Sequence, residues 1–93
     1  MYYVYFLLLA NGDIYKGSCS DVQQRLIDHQ NGRVKSTQHY LPFHLIGYEC
    51  YYLKSDALRR EKFLKTTEGR RLLKQQYKDI INHLTENISQ TGR

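Results

Sequence analysis

The sequence predicts an α/β domain, a small three-stranded antiparallel sheet flanked by helices in the order ββαβαα. Three observations carry that prediction. Two apolar segments flank Asn11-Gly12, a stretch with helix-capping residues follows, and an aromatic-rich segment then leads into apolar residues at helical spacing. At 93 residues the chain makes one domain, assigned to residues 1–84, which can bury roughly two-thirds of its unfolded surface around a single core.

Residues 2 to 9 and 13 to 18 read as two antiparallel strands, with Asn11-Gly12 supplying the positive-φ chemistry of a tight connection. The loop length decides where the tyrosines go. A two-residue turn would pair Ala10 with Asp13 and place Tyr5 and Tyr15 on opposite faces of the sheet. A three-residue loop, Ala10-Asn11-Gly12, pairs Leu9 with Asp13, sets Tyr5 opposite Gly17 and Tyr15 opposite Leu7, and brings both phenols to one face.

Ser20 and Gln23 have capping-box spacing, so a helix is expected from Asp21 to about Gln30, stopped by Asn31-Gly32. Val22 and Leu26 form its apolar stripe, with Arg25 and His29 one turn apart beside it. The polar, basic connection "GRVKSTQHYLP" leads to a third strand over His44 to Leu53. Ser55 is the expected cap of a helix from about Asp56 to Lys65. Thr67 opens another, with Leu72, Leu73, Tyr77, Ile80, Ile81 and Leu84 as its stripe. Thr85 to Arg93 reads as a frayed polar tail.

The formal charge of +5 favours a polyanionic partner, nucleic acid before an acidic membrane surface. The apolar run Val4 to Leu9 has no basic flank and is too short for a signal peptide or a membrane span, so a cytoplasmic location with no membrane partner is expected. Cys19 and Cys50 lack metal spacing and are expected as reduced, partly buried thiols.

Glu61 is the most informative position. Ala57, Leu58 and Leu64 lie three or four residues away, on the stripe that should face the core, so its carboxylate needs a cation. Arg25, a nearby lysine and a metal ion are all candidates. Arg25 itself has a bland account as an i,i+4 partner of Asp21, and His29 near a helix carboxyl end suits a partly positive imidazole. Nine tyrosines mean that most are packing residues, and a phenol serves as a base only where cations or hydrogen bonds prepare it. From Arg59 to Lys78, Arg59, Arg60, Lys62, Lys65, Arg70, Arg71, Lys74 and Lys78 stand against Glu61 and Glu68, a surface suited to gripping phosphates without reading sequence. Arg33 and Lys35 extend it.

Tyr3-Val4-Tyr5, Tyr15-Lys16-Gly17 ten residues on, Arg25, His29 and the downstream Glu61 together resemble a GIY-YIG nuclease domain, of the small single-domain bacterial type. The resemblance covers roughly residues 2 to 75. It implies metal-dependent hydrolysis of a phosphodiester, expected in DNA or else in RNA, and a domain this small contacts only a short stretch of duplex, which favours direction by structure over sequence. It further implies Tyr5 as general base, Tyr15 positioning water or phosphate, Arg25 stabilising charge on the scissile phosphate, and His29 bonding within the site or shuttling a proton. Glu61 would be the sole protein ligand of a magnesium or manganese ion. Gly17, opposite Tyr5, would leave room for substrate. Lys16 departs from the motif's usual aliphatic residue and should snorkel to solvent on the face away from Tyr15. The asparagine many members carry after the glutamate has no confident match, Asn82 lying far downstream. No DNA-binding domain accompanies the motif, so a targeting protein partner is an expectation, and a binding module or adaptor without useful catalysis is the competing reading.

Overall fold

The computed structural model describes residues 1–91, with the side chains of residues 1–86. Its elements are β1 (Tyr2–Leu8), β2 (Ile14–Cys19), α1 (Val22–Gln30), β3 (His44–Tyr51), α2 (Lys54–Leu64), α3 (Thr67–Gln76) and α4 (Lys78–Thr91). The strands form one antiparallel sheet, as the sequence predicts, and the structure sets them in the order β2-β1-β3.

The hairpin takes the three-residue loop. Leu9 N–H donates to the Asp13 carbonyl (2.9 Å), Gly12 N–H donates to that of Leu9 (2.9 Å), and Gly12 sits at φ 89°. Tyr5 therefore pairs with Gly17 and Tyr15 with Leu7. A one-residue irregularity between Phe6 and Leu7 lets β3 set Leu45 opposite Leu7 and Tyr48 opposite Tyr5, with Ile46 turned to the other face.

The pleat divides the core in two. Val4, Phe6 and Leu8 pack with Ile14, with Ala57 and Leu64 of α2 and with Leu73 of α3. Tyr5, Leu7 and Leu9 pack on the opposite face with Tyr15, Leu26 of α1 and Phe43. Each fully buried side chain of this size contributes about 1.5–3 kcal/mol.

Several helix limits differ from the sequence expectation. Asp21, not Ser20, caps α1, accepting from Gln24 N–H (3.1 Å); a carboxylate at a helix amino end is favoured by the dipole as well as by the bond. Ser55 is no cap: α2 starts at Lys54, behind Leu53, with Asp56 in its first turn. The long helix expected from Thr67 is two helices, parted at Tyr77, whose ring lies against Phe6 (centroids 5.4 Å). Packing of that ring on the sheet sets the bend where the apolar spacing runs on unbroken. Leu58 and Leu72 stay substantially exposed, so α2 buries the narrower stripe Ala57, Glu61, Leu64. Helix α4 continues to Thr91, through most of the expected tail; Gly92 and Arg93 lie outside the described residues. Cys50 is exposed and Cys19 half-buried, both free thiols.

Candidate active site

The hairpin register brings Tyr5 and Tyr15 together, with ring centroids 6.1 Å apart. Gly17 makes this possible in a way the sequence reading misassigns. A Cβ on Gly17 would stand 2.5 Å from the Tyr5 hydroxyl oxygen, so the glycine leaves room for the Tyr5 ring rather than for substrate.

Helix α1 delivers Arg25 and His29 from one face, a turn apart. Arg25 forms no side-chain pair with Asp21; its Nε donates to the Tyr5 hydroxyl (3.3 Å). His29 is fully buried, its ring 5.1 Å from that of Tyr15 and 5.6 Å from that of Tyr5. Its Nε2 lies 2.8 Å from the Tyr5 hydroxyl and its Nδ1 2.7 Å from Thr37 Oγ1.

Counting protons orients this chain. Tyr5 accepts from Arg25 Nε, which leaves its single hydroxyl proton for His29 Nε2. Nδ1 of the neutral imidazole then carries the ring proton and donates to Thr37 Oγ1, whose own hydroxyl faces the Val34 carbonyl (3.4 Å). Arg25, Tyr5, His29, Thr37 and Val34 thus form one directed series of hydrogen bonds.

Burial sets the charges. It pulls the His29 pKa down to about 4, helped by the Arg25 cation, so the imidazole is neutral near pH 7 and not partly positive as its helix position suggests. Burial also pushes the Tyr5 phenol well above its ordinary range, although Arg25 opposes this. The Tyr5 hydroxyl as acceptor raises the Arg25 pKa further.

Glu61 approaches from the other face of the sheet. Ser18 Oγ donates to its Oε1 and Lys65 Nζ to its Oε2 (2.6 Å), making Lys65 the counter-cation; no Arg25 to Glu61 bridge closes the site. Burial raises the Glu61 pKa, but the bonds from Lys65 and Ser18 outweigh it and leave it below the usual carboxylate range. Ser18 directly follows Gly17 on β2, an edge strand. Glu61 therefore meets the sheet one residue from where Tyr5 crosses Gly17, on the opposite face.

A family model described as the GIY-YIG catalytic domain matches residues 1–78. The chain belongs to the GIY-YIG family. A UPF0213 protein of Staphylococcus saprophyticus is 35% identical over 74 residues, covering 78% of this chain and 90% of the relative. Another, of Staphylococcus epidermidis, is 38% identical over the same length and shares. The solution structure of a UPF0213 protein from Bacillus halodurans superposes with a TM-score of 0.51 at 31% identity, covering 78% of this chain and 82% of that one. GIY-YIG domains form a nuclease superfamily, and the chain shares their catalytic-domain fold.

Within that GIY-YIG frame the predicted phosphate-gripping residues divide by what they touch. Arg33 pairs with Asp28, Arg59 with Asp56, Arg60 with Glu49 and Lys65 with Glu61. Lys35, Lys62 and Arg70 are exposed with no carboxylate bridge among the described residues. No described helix is long and apolar enough to cross a membrane.

Sequence reasoning missed Thr37 and Ser18. Thr37 lies in a polar connection with no periodicity to mark it. Ser18 was legible in principle, since strand alternation puts it beside Lys16 on the face that α2 covers.

Proposed function

We propose that this GIY-YIG domain hydrolyses phosphodiester bonds in DNA, choosing its target by structure. The observation that carries the reading is the Arg25 guanidinium, which has no carboxylate partner among the described residues and bonds instead to a phenol whose proton is directed at a neutral imidazole. Such an arginine is free to take a phosphate oxygen and to stabilise the charge that grows there.

In this reading Arg25 leaves Tyr5 for the phosphate and uncovers the phenol oxygen. Water attacks phosphorus, its proton passing to Tyr5 while the Tyr5 proton passes to His29 Nε2, and the bond to the leaving oxygen breaks. Thr37 holds the imidazolium by its other N–H, and Tyr15 orients the water or the phosphate. Glu61, with Ser18 beside it, offers hard oxygen donors and a single negative charge, a set that suits magnesium or manganese with water completing the shell. A divalent ion bound there supplies Lewis-acid stabilisation to the departing oxygen.

One observation favours the competing reading of a binding module. Tyr5 has no exposed surface, and its hydroxyl is bonded on both sides.

Cleavage of labelled single-stranded, duplex and branched DNA, and of RNA, with magnesium, manganese or EDTA tests the proposal. Metal-dependent cutting that Glu61→Ala and Tyr5→Phe abolish while remaining folded is the expected result. Binding without cutting, or equal cutting by the variants, supports the binding module instead.

A further inference from the structure

Between the β2 edge and α3 lies a cavity of about 250 Å³ lined by Asp13, Ile14, Lys16, Arg70, Leu73 and Lys74. It gathers three cations that the chain carries far apart in sequence, one on a strand and two on a helix. None of the three forms a carboxylate bridge among the described residues, whereas Arg59, Arg60, Lys65 and Arg71 each have one. The only acid in the lining is Asp13, at the outer end of the hairpin.

We propose that this cavity is a phosphate-binding subsite, which holds a backbone phosphate of the nucleic acid beside the scissile bond. The proposal rests on the nuclease reading for the identity of its ligand. Lys16 alternates with Ser18 on one face of β2, roughly 6.6–6.8 Å along the strand. Ser18 contacts Glu61, so the cavity opens one step along the edge from the candidate metal ligand, on the scale of neighbouring phosphates in a single strand. The cations also burden one another. Lys16 is half-buried, and its affinity for a proton is lowered first by that burial and then by Arg70 and Lys65, with Lys74 adding to the effect. An anion between them relieves that repulsion. Lys16 thus has a purpose where the family motif has an aliphatic residue: its half-buried side chain lines this cavity together with Arg70 and Lys74.

The test is binding by the full chain of a labelled oligonucleotide, duplex and single-stranded, across a salt series, for wild type, Lys16→Met, Arg70→Met, the double variant and Arg71→Met. The double variant binds more weakly, and each lost contact makes the salt slope shallower by about 0.9 on duplex and about 0.7 on a single strand. Arg71→Met loses the same charge from a bridged position and keeps the wild-type slope. Lys16→Gln serves if the methionine variant misfolds. In parallel, backbone amide resonances of residues 13–16 and 70–74 are followed on addition of inorganic phosphate. Should the chain bind no oligonucleotide while phosphate shifts these resonances, the subsite stands and a small phosphate is its occupant, which overturns the nucleic-acid assignment. If the double variant binds oligonucleotide with wild-type affinity and slope, the subsite is overturned, and cleavage by wild type against Glu61→Ala judges the nuclease reading separately. Shifts with neither probe overturn it too.

Discussion

Tyr5 and Gly17 face each other across the first two strands so closely that any side chain at 17 would collide with the Tyr5 hydroxyl. Neither partner has slack, because the Tyr5 ring is fully buried and its hydroxyl is tied to His29 and Arg25. Gly17→Ala is expected to cost about 1–3 kcal/mol as an overpacked core substitution. Urea unfolding measures the loss, and altered resonances of His29 report the displaced phenol. A stability unchanged within error would mean that Tyr5 moves aside freely.

His29 should make stability depend on pH in a defined window. Its folded pKa of about 4 lies below the ordinary imidazole value of 6.5, so between these values the unfolded chain binds more protons and folding weakens as pH falls. Across the window the loss is on the order of 3 kcal/mol, and above about pH 7 this contribution is flat. Glu61 acts lower: its depressed pKa gives stability that is present above the ordinary carboxylate value of 4.5 and is lost as pH falls through the folded one. Unfolding curves from pH 7 to 5 separate the two, and His29→Gln should flatten them.

Thr37 positions the imidazole by accepting its Nδ1 proton. Thr37→Val keeps the shape and removes the acceptor, which leaves a buried donor unsatisfied at a cost of about 1–3 kcal/mol. Thr37→Ser should restore most of it. Long-range proton to nitrogen correlations of His29 read the tautomer directly, and an Nδ1–H form persisting unchanged in the valine variant would contradict the assignment.

Lys65 and a divalent cation compete for the same carboxylate. Lys65→Met should raise the Glu61 pKa and tighten manganese binding, seen as paramagnetic broadening around Ser18 at lower metal concentration. Equal broadening in wild type and variant would show that the lysine does not guard the site.

Much of the fold was legible because its signals are local. Asn11-Gly12 marks the hairpin, Asn31-Gly32 stops α1, and Ala57, Glu61 and Leu64 share a helical stripe wherever the helix is placed. Helix limits were less legible: Asp21 and Ser20 are both competent caps, and the break at Tyr77 is made by a ring resting on Phe6, a contact between segments more than seventy residues apart.

By itself the sequence determined the strands, the succession of elements along the chain and the set of chemically able residues, since turn chemistry and periodicity act over a few positions. It also made one residue of loop length decisive, because side chains alternate with period two. Only the tertiary structure decided how those residues are used. It put Arg25 on Tyr5 rather than on Asp21, made His29 neutral, gave Glu61 to Ser18 and Lys65, and set Lys16 opposite Arg70 and Lys74. Charge state and partnership depend on burial and distance in space, and these exist only once β2, α1, α2 and α3 have packed on the sheet.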